Sequence, residues 1–207
     1  MINLLELFGA GLAIMLAYII VREKNYKLLL FGITLLPFGV VWESLRVDKA
    51  WVYTTPPDVV YSIYLTESIP LIIPIGWSLC MMVLFYIGGR LMKVLHINKV
   101  VLFFLIGTIW GLIFELVFVN LGYWQYLMYP QVANLRPSVP TGWGILTVSL
   151  ILTFEFLWAR FGNDLRTRPY YILLFFLIYF LITPVLLIIA GFSFLVLDPL
   201  CVATICK

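Results

Sequence analysis

The sequence predicts an all-α integral membrane protein with about six transmembrane helices, forming a single membrane domain over residues 1–207. Hydrophobic residues make up 64% of the chain and charged residues 11%, whereas a soluble domain is about half apolar and about a quarter charged. The mean hydropathy is +1.09. Apolar runs of about 20 residues, the length that crosses a bilayer, use nearly the whole chain and leave no room for a separate soluble domain.

The predicted spans are the apolar runs at residues 3–21, 28–46, 70–89, 100–121, 141–160 and 170–196. The first run has no basic region before it and no small-residue cleavage site, so we expect a retained span and not a signal peptide. The last run is long enough to tilt, and Pro184 within it predicts a kink because proline removes a helical hydrogen bond.

Basic residues predict the orientation in the membrane. Nine of the 13 lysines and arginines fall in the loops after the first, third and fifth spans. Because such loops are usually cytoplasmic, we expect a cell-membrane protein with both termini outside. The two long loops, residues 47–69 and 122–140, are then outside as well. The net charge of +3 is small and indicates no nucleic-acid partner.

The chain also contains an internal repeat, in residues 38–78 and 110–144. Residues 38–43 and 110–115 share the pattern aromatic–Gly–apolar–apolar–aromatic–Glu, and residues 73–78 resemble residues 139–144. Between these segments, a Trp–x–Tyr sequence occurs at residues 51–53 and again at residues 124–126. Spans 2–3 and 4–5 run in the same sense, so we predict a parallel duplication of a helix–loop–helix unit about an axis along the membrane normal.

Each unit places one glutamate near the end of its first helix, Glu43 in the first unit and Glu115 in the second. An ionisable residue inside a span is costly to keep there and indicates function. Two neighbouring carboxyl groups can share a proton and deliver it as a general acid. Two alternatives stay open. Arg46 can pair with Glu43 along the helix, which would leave Glu115 as the better proton donor. Alternatively, each glutamate accepts hydrogen bonds from its facing loop and only holds the hairpin together.

Other sites that carry chemistry are not indicated. A single histidine, His96, excludes a histidine-rich metal centre, and no phosphate-binding loop or Ser–His–Asp set is present. We therefore predict no metal and no cofactor. Cys80, Cys201 and Cys206 are expected to be free thiols, although a disulfide between the last two stays open. We expect Glu155 to reach the membrane interface or to pair with a basic loop residue.

The second unit carries a family resemblance, on Phe114–Glu115, the aromatic loop at residues 122–126, Pro130 and residues 139–143. Mainly over residues 110–145, the sequence resembles the membrane carotenoid biosynthesis proteins that include the carotenoid 1,2-hydratases. The resemblance implies cofactor-independent addition of water to the terminal double bond of a linear carotenoid. Glu115 or Glu43 would protonate the alkene, and aromatic rings would bind the substrate and stabilise the cation. These rings are Trp124, Tyr126, Trp143, Trp77, Trp51 and Tyr53.

Three functions follow as hypotheses. The first is this hydratase, or an isomerase or cyclase acting by the same acid on a carotenoid or other prenyl lipid of the membrane. The second is a non-catalytic subunit that binds other membrane proteins. The third, a small transporter, is disfavoured because transporter sites lie near the midplane. A lipid-accessible cavity facing the glutamates would favour the enzyme, whereas capping of each glutamate by its own loop would favour the subunit.

Overall fold

The computed structural model describes residues 3–48, 50–127, 135–136 and 138–162, together with residues 175–179, 181–182, 185 and 188. Within this part the main elements are long helices, five of which are long and apolar enough to cross a membrane. They are α1 (Leu4–Glu23), α2 (Tyr26–Arg46), α3 (Ile72–Leu91), α4 (Lys99–Asn120) and α5 (Ser138–Phe161). The structure therefore agrees with the predicted class of helical membrane protein.

The ends of the first five predicted spans lie within three residues of the observed helix ends. Three of these helices are each preceded by a capping asparagine, Asn3, Asn25 or Asn98. Its side chain accepts hydrogen bonding from the backbone N–H groups of the first turn. The predicted sixth span falls mostly outside the described residues, although residues 175–179 and 181–182 are helical. The predicted kink at Pro184 and the possible disulfide of Cys201 with Cys206 also lie outside the described residues.

Four short strands lie in the loops between the helices of the described part of the chain, within a mostly helical fold. They are β1 (Trp51–Tyr53), β2 (Tyr64–Thr66), β3 (Ile69–Pro70) and β4 (Trp124–Tyr126). Strand β1 pairs antiparallel with β4, so that Val52 lies opposite Gln125, and β2 pairs with β3. These strands could not be predicted from the sequence, because two or three residues are too few to show the alternation of a strand. We call the end of the bundle that carries β1 and β4 the loop end.

Glycines allow the two helical hairpins, α2–α3 and α4–α5, to pack closely. A Cβ atom on Gly39 would lie 2.8 Å from the carbonyl oxygen of Pro74, and one on Gly111 would collide with the ring of Trp143. Small residues at helix contacts are typical of membrane bundles, where close backbone approach replaces the hydrophobic effect. These contacts hold the first turns of α3 and α5 against the second halves of α2 and α4.

Ion pairs hold the opposite end of the bundle. Glu155 in α5 forms ion pairs with Lys27 at the start of α2, at 3.6 Å, and with Lys99 at the start of α4. The expectation that Glu155 pairs with a basic residue is thus confirmed, and His96 is exposed as expected for a loop residue. A single carboxylate therefore connects α5 to both α2 and α4, far from the loop end.

Candidate functional site

The first predicted glutamate, Glu43, lies one turn before the end of α2 and is only 1% exposed. Its Oε2 atom accepts hydrogen bonds from the hydroxyl of Tyr53 at 2.5 Å and from Nε1 of Trp51 at 3.3 Å. Its Oε1 atom accepts a hydrogen bond from Nε1 of Trp77 at 2.6 Å. Three aromatic side chains therefore solvate this carboxylate in place of water.

The second predicted glutamate, Glu115, has the same surroundings in α4. Its Oε2 atom accepts hydrogen bonds from the hydroxyl of Tyr126 at 2.7 Å and from Nε1 of Trp124 at 2.9 Å. Its Oε1 atom accepts a hydrogen bond from Nε1 of Trp143 at 3.0 Å. In both cases one carboxylate oxygen accepts from a tyrosine and a tryptophan, and the other oxygen accepts from a second tryptophan. We call each glutamate with its three donors a half-site.

The order of elements explains how each half-site forms. In both, two donors come from the short strand that follows the helix, and the third comes from the beginning of the next helix. Successive side chains of a strand point to opposite faces, so the tryptophan and tyrosine of a Trp–x–Tyr sequence point to the same face. The repeated spacing in the sequence is therefore the spacing that brings three donors to one carboxylate.

The two half-sites touch each other in two places. In the β1–β4 pair, Trp51 lies opposite Tyr126 and Tyr53 lies opposite Trp124. Both ring pairs have centroids 6.2 Å apart and nearly perpendicular planes, at 77° and 75°. The indoles of Trp77 and Trp143 stack on each other, with centroids 4.3 Å apart and an angle of 18°. The half-sites therefore form one continuous aromatic cluster.

This cluster lines a partly open cavity of about 70 Å³. A cavity needs about 10–15 Å³ to hold one water molecule, so this space is large enough for several. All the residues predicted to be catalytic or substrate-binding contribute to its lining: Glu43, Glu115, Trp51, Tyr53, Trp77, Trp124, Tyr126 and Trp143. Residues that are distant in the sequence thus meet around one small space.

Other lining residues were missed by the sequence analysis. Ile73, Gly76 and Cys80 lie with the predicted Trp77 on one stripe of α3, and residues 139, 142 and 146 lie with the predicted residue 143 on a matching stripe of α5. This helical spacing of three, four and seven residues was present in the sequence and could have identified them. Leu5 of α1 also lines the cavity, and nothing in the repeat points to it because α1 lies outside both units.

The protonation of the two tyrosines follows from their surroundings. Burial, and next the negative charge of Glu43, raise the pKa of the Tyr53 hydroxyl well above its usual value. Burial and the charge of Glu115 raise the pKa of the Tyr126 hydroxyl in the same way. Both phenols consequently keep their protons at physiological pH and remain hydrogen-bond donors to the glutamates.

The sequence offered Arg46 as a possible charged partner of Glu43. In the structure the guanidinium of Arg46 lies over the ring of Trp42, 4.9 Å from its centroid, and Arg46 does not line the cavity. Within the described part of the chain, the residues around the cavity include two carboxylates and no lysine, arginine or histidine. The same part of the chain contains no group of three or more His, Cys, Asp or Glu residues placed to hold a metal ion.

Comparisons of the chain with protein-family models, with curated proteins and with solved structures give no match. The geometry and chemistry of the cavity are therefore the basis for assigning a function. Its two components are a pair of buried carboxyl groups and a wall of aromatic rings, set inside an apolar helical bundle.

Proposed function

We propose that the protein adds water, by acid–base catalysis, to the terminal double bond of a linear carotenoid or another prenyl lipid within the cell membrane. The observation that supports this most directly is that Glu43 and Glu115 face one aromatic cavity. The proposal includes a duplicated helix–loop–helix unit, a sixth span at residues 170–196, and a location of the loop end and both termini outside the cytoplasm. It also takes the eight residues of the half-sites as the site residues.

In the first step, one protonated glutamate donates its proton to the terminal alkene. The π electrons form the new C–H bond and leave a tertiary carbocation on the neighbouring carbon, while the glutamate becomes a carboxylate. Aromatic faces stabilise cations by about 0.5–2 kcal/mol per ring, and the cavity is lined by several of them. Proton transfer by a positioned side chain typically contributes about 10²–10⁴-fold in rate.

In the second step, a water molecule attacks the cation and transfers a proton to the partner carboxylate. The product is a tertiary alcohol, and one H and one OH have been added across the double bond. The two glutamates have then exchanged protonation states, and a proton transfer between them restores the starting state. Loss of a different proton from the same cation would give an isomer, and attack by a second double bond would give a ring.

A non-catalytic subunit is the second candidate, and one observation favours it. Both oxygens of each glutamate are occupied by donors of the same unit, which is the arrangement expected of a structural pin. A pin alone, however, needs neither a cavity nor two carboxylates beside it. The third candidate, a transporter, is supported least, because both glutamates lie in the last two turns of their helices and away from the middle of the bundle.

The test is hydration by the full-length chain in liposomes that contain a linear carotenoid with unsaturated ends, in water enriched in heavy oxygen. We expect a labelled tertiary alcohol, detected by mass spectrometry. Glu115→Gln and Glu43→Gln should each lower the rate by about 10²-fold or more. Glu155→Gln is the matched control, because it removes a glutamate of the same bundle that lies outside the cavity, and it should retain the activity.

Two results would contradict the proposal. One is the absence of any labelled product from the wild-type chain with a series of prenyl lipids. The other is a turnover by the glutamine variants equal to that of the wild type. Mass spectrometry of the protein taken gently from its native membrane would then test the second candidate, since a structural subunit should carry partner chains in stoichiometric amounts.

A further inference from the structure

The geometry points to a ligand class for the same cavity: an amphiphile whose head is a tertiary or quaternary ammonium group without an adjacent phosphate. This inference rests on the cavity used in the proposed function, but it requires binding only and no reaction. Three properties of the cavity support it, namely its charge, its aromatic wall and its size.

The charge is the first property. Each glutamate is hydrogen-bonded by two indole N–H groups and one phenol, which are neutral donors. Neutral donors solvate a carboxylate but leave its negative charge uncompensated. The acidic residues lining the cavity in the described part of the chain are Glu43 and Glu115, one of which is a carboxylate in the starting state of the proposed function, and no basic residue lines it with them. A buried charge is normally paired, so the electrostatic complement of this cavity is a cation supplied by a ligand.

The aromatic wall is the second property. Eight aromatic side chains line the cavity: Trp42, Trp51, Tyr53, Trp77, Phe114, Trp124, Tyr126 and Trp143. Tryptophan is the best partner for a cation placed against an aromatic ring, and aromatic cages are the usual sites for methylated ammonium groups. Aromatic rings and carboxylates both favour a positively charged group over a neutral group of the same shape. Both disfavour a phosphate, which would bring its own negative charge.

The size and remaining lining are the third property. The cavity of about 70 Å³ suits a small head. A trimethylammonium group has about four non-hydrogen atoms, and a dimethylammonium group with its first chain carbons is of similar size. Apolar side chains complete the wall beside the rings and suit the start of a hydrocarbon chain: Leu5, Ile72, Ile73, Val139 and Leu146. The ligand is therefore a small cationic head on an apolar tail, which reaches the cavity from the bilayer.

The test compares three ligands with the same twelve-carbon chain on the full-length protein in nanodiscs. They are N,N-dimethyldodecylamine, which is protonated at neutral pH, its neutral carbon analogue 2-methyltetradecane, and dodecylphosphocholine. Tryptophan fluorescence reports binding, because five of the seven tryptophans line the cavity. We expect saturable binding of the amine at a concentration about tenfold or more below that of either other ligand. Equal binding of 2-methyltetradecane would overturn the inference.

Variants locate the binding. In the Glu43→Gln/Glu115→Gln double variant the amine should bind about 30-fold more weakly or worse, because the buried partner of the cation is removed. Glu155→Gln should bind it as the wild type does. Unchanged binding to the double variant would overturn the inference. If that variant does not fold, the comparison of the three ligands on the wild-type chain decides alone.

The outcomes for binding and for catalysis are separable. Amine binding in a chain that hydrates no lipid would support this inference and contradict the proposed function. Hydration by a chain that binds the amine no better than the neutral analogue would support the proposed function and contradict this inference.

Discussion

The two half-sites have the same hydrogen bonds but differ in how exposed their hydrogen-bond donors are. All three donors to Glu115 are buried, at 5–6% exposure. Around Glu43, by contrast, Tyr53 and Trp77 are only half-buried. The difference shows that a repeated sequence pattern reproduces the contacts to a carboxylate, while residues outside the pattern decide how exposed the donors are.

The neighbours of Trp124 explain why this donor to Glu115 is buried. The rings of Phe114 and Phe118 stack on Trp124, with centroids 5.8 Å and 6.0 Å away. Phe8 of α1 packs on the same two phenylalanines, at 5.9 Å and 5.7 Å. Helix α1 therefore supports the phenylalanines that cover Trp124. Two donors to Glu43 are more exposed than any donor to Glu115, although Glu43 itself is buried.

The largest expected effect comes from filling the glycines that bring each hairpin together. Gly39→Ala and Gly111→Ala should each lower the free energy of unfolding by about 1–3 kcal/mol, since the new methyl group has no space. Gly111→Ala should also lower the activity, because Trp143, which it displaces, donates to Glu115. Thermal unfolding in detergent and the hydration assay measure the two effects.

Gly11→Ala is the matched control for these substitutions, because its Cβ would have no atom within 4 Å. It should be neutral or slightly stabilising, as alanine is the better helix former. Equal stability of the Gly111 and Gly11 variants would show that the close contact at the second half-site is not important.

A smaller effect tests directly the difference in exposure between the tyrosine donors of the two half-sites. Tyr126→Phe should destabilise the protein by about 0.5–1.5 kcal/mol, because it removes one hydrogen bond to a carboxylate oxygen that keeps its bond from Trp124. Tyr53→Phe should cost less, although its hydrogen bond is the shorter, because the Tyr53 side chain is only half-buried. Tyr86→Phe, which removes an exposed hydrogen bond to Glu23, is the control and should change the stability least. Equal losses for Tyr53 and Tyr126 would contradict the comparison.

The smallest effect is a dependence on alkaline pH. Burial raises the pKa of Tyr53 and Tyr126 in the folded chain above the usual value of 10.0. Below that pH both phenols are protonated in the folded and unfolded states and the stability does not change. As the pH rises above it, only the unfolded state releases the protons, so the stability falls. Melting temperatures measured across this range should fall less steeply for the Tyr126→Phe variant, and an unchanged slope would contradict this prediction.

Much of this geometry could be predicted from the sequence, because the relevant signals are local. Long apolar runs predicted the helices, and the repeated patterns placed Glu43 in one repeat unit with Trp51, Tyr53 and Trp77. The antiparallel pairing of β1 with β4 could not be predicted, since it depends on where two separate hairpins pack. The packing of Phe8 on Phe114 and Phe118 was equally out of reach, because α1 belongs to neither repeat and its contacts depend on tertiary structure alone.

The start of α1 is tied to a residue far along the chain. The hydroxyl of Tyr123 accepts a hydrogen bond from the backbone N–H of Leu4 at 2.7 Å, across 119 positions of sequence. Strand β1 likewise gains its partner only when β4 exists. During synthesis on the ribosome, α1 therefore enters the membrane before Tyr123, whose hydroxyl accepts from the N–H of Leu4, has been translated. The aromatic cavity can close only after α4 has been inserted, so a nascent chain that stops before Tyr123 exposes the carboxylate of Glu43 without the second half of its enclosure.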